Sequence, residues 1–149
     1  MKKPTPDQAC YEAEFDLADK RPEIERAEAA LVEAVESCGY ERASVFAVRL
    51  AFEEAVLNAF RHGHRGLPGR PVRVSWRIEP ARVEITITDQ GPGFDPRCLP
   101  DPTLDENLEK PCGRGIMLMR AYMSEVTFNE AGNRVVMIYK RPPGRAATG

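Results

Sequence analysis

Apolar residues recur along the chain with two different periods, and the changes of period divide it into elements. Residues 10–18, CYEAEFDLA, alternate well enough for a first strand. From 19 to 39 the period lengthens. Ile24, Ala27, Leu31, Val35 and Cys38 form a helical stripe, with Asp19 and Pro22 at its start and Gly39 at its end. A second helix is expected over 41–61, ended by Gly63 and Gly66, with Phe46, Leu50, Leu57 and Phe60 packing on a sheet. Alternation then returns. Val72, Val74, Trp76 and Ile78 share one strand face, and Val83, Ile85, Ile87 and Asp89 share another, with a short hairpin turn, EPAR, between them.

After Asp89 the pattern stops, and residues 90–112 read as a long proline-rich loop of the kind used as a lid or binding loop. A third helix, GRGIMLMRAYMSEV, opens on Gly113-Arg114-Gly115, and its Met117, Met119 and Met123 are expected in the core or on a packing face. A closing hairpin turns at Ala131, Gly132 and Asn133. The element order β-α-α-β-β-loop-α-β-β predicts an α+β two-layer sandwich, a mostly antiparallel sheet covered on one face by three helices. It is not a doubly wound sheet, because strands in the second half follow one another by hairpins. One domain over 1–149 is expected, with a loose start (about 1–8) and tail (about 142–149).

Composition narrows the function without naming it. With 42% hydrophobic and 30% charged residues the chain reads as an ordinary globular protein, and a net charge of −2 gives no general attraction to nucleic acid or an acidic membrane. No run approaches the roughly 20 apolar residues that span a bilayer, and the two early lysines precede no apolar segment that would make a secretory signal. Cys10, Cys38, Cys98 and Cys112 form no C-x-x-C pair, so free thiols in a cytoplasmic protein are expected, although Cys98 and Cys112 bracket one loop and could pair under oxidation. His62 and His64 suggest no third ligand for zinc; His62 is assigned to the end of the second helix and His64 to the surface.

The chemistry lies in three polar interruptions of the apolar pattern. In LAFEEAVLNAFRHGHRG, Glu54 and Asn58 are four residues apart and therefore neighbours on one helix face, whereas Glu53 is rotated about 100° from Glu54. An amide oxygen suits Mg²⁺ when phosphates supply the negative ligands, and a carboxylate one turn away can accept a proton from an attacking hydroxyl. TDQGPGF places Asp89 at a strand end, able to accept a hydrogen bond from the adenine amine, with Gly91 and Gly93 letting backbone approach the base. CGRGIMLM puts Gly113, Arg114, Gly115 and Ile116 at a helix N-terminus, where exposed N–H groups, the helix dipole and the Arg114 charge favour phosphate.

In this order the three boxes, at 54–63, 89–93 and 113–115, resemble the GHKL (Bergerat-fold) ATPases. The short chain and the EEAVLNAFRHG form of the first box are similar to the RsbW-like anti-sigma-factor serine/threonine kinases. The resemblance implies ATP and Mg²⁺ as cofactors, Glu54 as general base and Asn58 as metal ligand. It further implies Asp89 as adenine anchor, with Asn58, His62, Gly63, Gly91, Gly93, Gly113, Arg114, Gly115 and Ile116 around the nucleotide. Its implied partners are a sigma factor and a STAS-type anti-anti-sigma protein, and its implied assembly includes a homodimer. Two other functions fit the same boxes: a nucleotide-dependent anti-sigma or switch module without turnover, and a stand-alone histidine-kinase-type catalytic domain.

Overall fold

The structure, a computed structural model, describes residues 10–63, 70–91 and 111–143. The elements follow the expected order: β1 (Tyr11–Leu17), α1 (Arg21–Ser37), α2 (Arg42–Asn58), a π-helical turn (Ala59–Gly63), β2 (Val72–Ile78), β3 (Arg82–Thr88), α3 (Pro111–Tyr122), β4 (Glu125–Phe128) and β5 (Arg134–Lys140). The strands form one sheet in the order β1-β2-β3-β5-β4, with every neighbouring pair antiparallel. The expected α+β sandwich is the observed fold. The loop over 92–110, with Gly93 and Cys98, and the residues 64–69, with His64 and Gly66, lie outside the described residues.

Alternation decides which face of the sheet is covered. Val72, Val74, Trp76 and Ile78 on β2, with Val83, Ile85 and Ile87 on β3, are buried together with Ile24, Leu31 and Val35 of α1, Phe52 and Val56 of α2, and Ile116 and Met119 of α3. Trp76 anchors this layer, meeting Phe15 edge-on at 5.3 Å and Phe52 at 6.2 Å between ring centroids. The opposite face is polar. There Arg73 bridges Glu14 and Asp16 and Arg77 bridges Glu12, so oppositely charged side chains face each other across β1 and β2.

Two expectations about the helices are corrected. Phe46, Leu50 and Leu57 do not pack on the sheet. At about 100° per residue the sheet-facing stripe of α2 is instead Val48, Phe52, Ala55 and Val56, which turns Phe46 outward to 45% exposure. The Phe46 ring meets Tyr122 of α3 edge-on at 5.8 Å, under the guanidinium of Arg49 at 5.7 Å. Met119 and Met123 are core residues as expected, but Met117 is 46% exposed, since it lies two residues from Met119 and so on the other side of α3.

Cysteine usage is the third correction. Cys10 and Cys38, expected as free thiols, are joined as a disulfide with Cα atoms 6.1 Å apart.

The corner between α1 and α2 sets where α2 begins and therefore where it ends. Gly39, with φ of +88°, closes α1: its N–H donates to the Glu36 carbonyl and the Tyr40 N–H to that of Val35, a Schellman cap that a side chain with Cβ would strain. Tyr40 then donates its hydroxyl to the Glu79 carbonyl at 2.6 Å, and Arg141 donates to the carbonyls of Gly39 and Pro80 while lying over the Tyr40 ring. These contacts hold the start of α2 at the β2–β3 hairpin. Its 17 residues rise about 25 Å, close to the length of a seven-residue strand, so α2 ends near the opposite end of the strands, where β3 runs out into Asp89.

Burial pushes the Tyr40 hydroxyl from 10.0 up to about 12, against the pull of the nearby Arg141 charge. The folded state therefore holds this proton more tightly than the unfolded chain. The contribution is full below pH 10 and is lost as pH rises through about 12. Urea unfolding is expected to show stability falling over that window. Tyr40→Phe should flatten the fall and cost on the order of 1 kcal/mol at neutral pH, the value of the lost hydrogen bond.

Candidate functional site

The polar interruptions of α2 sit where the helix approaches the Asp89 end of the sheet. Glu53 and Glu54 separate as their rotation requires: Glu53 reaches Arg21 of α1 at 4.0 Å, and Arg21 also pairs with Glu25. Glu54 turns instead toward α3. A Cβ added at Gly115 would lie 3.3 Å from Glu54 Oε2 and 3.9 Å from the Glu54 carbonyl oxygen. Gly115 is thus the position where absence of a side chain lets α3 close on the Glu54 carboxylate. The first and third boxes, 61 residues apart from Glu54 to Gly115, are in contact.

Asn58 is the last α-helical residue before the chain widens into the π-turn, a departure from α geometry that recurs at functional sites. It is 7% exposed, and its Oδ1 is the one buried side-chain N or O atom without a hydrogen-bond partner among the described residues. Burying an amide oxygen unpaired costs about 1–3 kcal/mol, which a fold tolerates where that atom has an external partner. A hard cation fits this donor. No group of three or more His, Cys, Asp or Glu side chains that could hold a metal occurs among the described residues. A hard cation such as Mg²⁺ needs only one or two protein oxygens when phosphate and water fill the rest of its shell.

Asp89 continues the core-facing alternation of β3 and is 5% exposed, so a carboxylate faces the helical layer at the end of an otherwise aliphatic row. Its Oδ1 accepts the Gly91 N–H at 2.8 Å, which turns the backbone and buries Gly91. The turn between β4 and β5 supports it from the side: the Asp89 N–H donates to the Asn133 carbonyl at 2.8 Å, and Asn133 Nδ2 to the Gly91 carbonyl at 3.4 Å. Asn129 holds that turn by accepting the N–H groups of Gly132, Asn133 and Arg134 on Oδ1. The sequence placed the hairpin at these residues but carried no sign that it braces Asp89.

The third helix starts at Pro111, two residues before Gly113. Proline suits the first helical position, and Gly113 and Arg114 supply backbone N–H groups of the unsatisfied first turn. Ile116, assigned to the nucleotide surroundings, is fully buried in the core, so its contribution is to seat α3. His62 and Gly63 belong to the π-turn.

The structure thus makes Asn58 a buried unpaired amide among the described residues, sets the Glu54 carboxylate against a glycine of a second helix, and buries Asp89 at the end of β3. The family model described as histidine kinase-like ATPase domain matches residues 17–139, most of the chain. The chain belongs to the histidine kinase-like ATPase family. Among curated proteins, this ATPase domain is 26% identical over 108 residues to a serine-protein kinase RsbW of Oceanobacillus iheyensis, a match covering 68% of each chain. It is 37% identical over 82 residues to an anti-sigma F factor of Bacillus cytotoxicus, covering 53% of this chain and 56% of the relative. The anti-sigma F factor of Geobacillus thermodenitrificans is 32% identical over 95 residues, covering 62% and 64%. The ATPase domain thus spans less than two thirds of both anti-sigma F factors. No helix among its described residues is long and apolar enough to cross a membrane.

Proposed function

We propose that the chain is a cytoplasmic Mg-ATP-dependent anti-sigma factor that sequesters a sigma factor and phosphorylates a serine or threonine of its antagonist, a STAS-type anti-anti-sigma protein. The observation that carries this reading is the buried, unpaired Asn58 Oδ1 one turn from Glu54, with Gly115 against the Glu54 carboxylate. The names of the relatives, a serine-protein kinase and anti-sigma F factors, support the protein substrate and the sigma partner.

In this reading Asp89 accepts the adenine amine, and the first-turn N–H groups of α3, with Arg114, hold the phosphates. Asn58 is the protein ligand of Mg²⁺, which when bound offsets the charge of the triphosphate. The substrate hydroxyl oxygen forms a bond to the γ-phosphorus as the bond to the β-phosphate oxygen breaks, and Glu54 takes the hydroxyl proton as ADP leaves. Gly93, His62 and Gly63 line the nucleotide, and a homodimer is the working assembly.

The test is transfer of label from γ-labelled ATP to candidate antagonist proteins by the full chain. Acid-stable label on the antagonist is expected. Acid-labile label would instead favour a histidine-kinase-type domain, and nucleotide-dependent sigma binding without transfer to any antagonist would favour a binding module.

Gly115→Ala gives a finer test of the same geometry. At 3.3 Å the new methyl must displace the Glu54 carboxylate by a few tenths of an ångström, which a side chain can do without disturbing the fold. The melting temperature should hold or rise, since alanine in a helix gains up to about 1 kcal/mol over glycine. Transfer should fall by about tenfold or more, because misplacing a reacting group by less than an ångström is costly.

A further inference from the structure

We propose that Cys10 and Cys38 form a reversible thiol–disulfide exchange site, whose co-substrates are dithiols and small-molecule disulfides and whose state decides whether the start of β1 stays on the sheet. The inference does not depend on phosphate transfer, because the cystine lies at the Tyr40 end of the fold, about one α2 length, or roughly 25 Å, from Asn58.

The two halves of β1 are held differently. Its second half is anchored by packing: Phe15 lies edge-on to Trp76, and Leu17 is buried. Its first half has no comparable anchor among the described residues. Tyr11 is 44% exposed, Glu12 is exposed, and Ala13 is only partly buried. Among the described residues β1 is also an edge strand, with β2 as its one ladder partner. The cystine supplies the missing anchor by joining Cys10, whose N–H donates to the Ile78 carbonyl, to Cys38 at the capped end of α1. Both cysteines are only partly buried, so the bond lies within reach of a reductant. Removing it leaves the row from Cys10 to Ala13 held by the ladder to β2, the partly buried Ala13 and the exposed Arg77–Glu12 pair, of which the ion pair contributes little.

The exchange balances without a further reagent. A thiolate of the dithiol attacks one sulfur of the cystine, forms a mixed disulfide and expels the other cysteine as thiolate. The second thiol of the reductant then closes its own disulfide and releases the second cysteine, so two electrons pass to the protein and two protons complete the thiols. A small-molecule disulfide such as oxidised glutathione runs the same steps backwards. In a compartment that keeps thiols reduced, persistent cystines are uncommon and those that form tend to be transient or sensing, which suits a pair placed on an otherwise weakly held strand.

The experiment uses the full chain equilibrated with oxidised glutathione and then with dithiothreitol, followed by alkylation in denaturant, peptide mapping and amide deuterium exchange. Cys10 and Cys38 should be blocked to alkylation before reduction and labelled after it. Deuterium uptake over residues 10–14 should rise at least tenfold on reduction, with 15–17 still protected. Closing a loop of this length should be worth roughly 10 °C in melting temperature. Cys38→Ser and, separately, Cys10→Ser should show the fast uptake under both conditions, and ATP affinity should stay within about twofold throughout. Alkylation of both cysteines in the oxidised protein, uptake over 10–14 that ignores reduction, or ATP affinity that follows the redox state would each overturn the proposal.

Discussion

Glu54→Gln is expected to lower phosphoryl transfer by about 10²- to 10⁴-fold while leaving ATP affinity within about threefold of wild type. Glutamine keeps the length and much of the hydrogen bonding of glutamate but cannot accept a proton. The site makes this a clean substitution. Glu53, not Glu54, is engaged by Arg21, and Glu54 has no ion-pair partner among the described residues. The Gly115 contact constrains where the carboxylate sits without pairing its charge. Single-turnover transfer measured beside equilibrium nucleotide binding checks the split. Unchanged transfer would remove Glu54 from the chemistry, and a parallel loss of binding would make it a nucleotide contact instead.

The second large effect concerns Asn58, where function and stability should move in opposite directions. An unpaired buried amide oxygen is a cost to the folded state of about 1–3 kcal/mol, and leucine has the same branched outline, though bulkier, without that cost. Asn58→Leu is therefore expected to melt at the wild-type temperature or a few degrees above it in the absence of nucleotide. Transfer should nevertheless fall by at least about 100-fold, because a metal ligand is worth several kcal/mol to charge stabilisation. The rise in melting temperature that a ligand confers by binding only the folded state should appear for wild type with Mg-ATP and vanish in the variant. If the variant were instead strongly destabilised, Asn58 would be a satisfied structural residue.

Where a local period decides the outcome, the sequence was a sufficient guide. Val72, Val74, Trp76 and Ile78 could only line one face of a strand, and Ile24, Ala27, Leu31 and Val35 one face of a helix; both sets are in the core. Glu54 and Asn58 were placed on one helix face because four residues is about one helical turn, and Asp89 on the core side because it extends the apolar row of β3. Outcomes set by the meeting of distant elements were not legible. Phe46 looked like a sheet-facing residue until α3 supplied Tyr122 as its partner. Cys10 and Cys38 are 28 residues apart and meet only because β1 starts where α1 ends. The same applies to Asn133, which braces Asp89 from a hairpin 44 residues further along the chain. Two glycines before a helix are commonplace, and what distinguishes Gly115 is the Glu54 carboxylate against it, which no local pattern encodes.

The central claim is that the end of α2, the start of α3 and the end of β3 surround one metal-bound adenine nucleotide. The most direct measurement is nuclear magnetic resonance of the isotopically labelled full chain with a non-hydrolysable ATP analogue, first with Mg²⁺ and then with paramagnetic Mn²⁺. The account predicts that Asp89 and Gly91 amide signals shift with the Mg complex, and that Mn²⁺ erases the Asn58 side-chain amide and Gly115 signals while those of Tyr40 and Ala81 stay sharp. A bound nucleotide that leaves Asn58 sharp in Mn²⁺, or Asp89 unshifted, would contradict it.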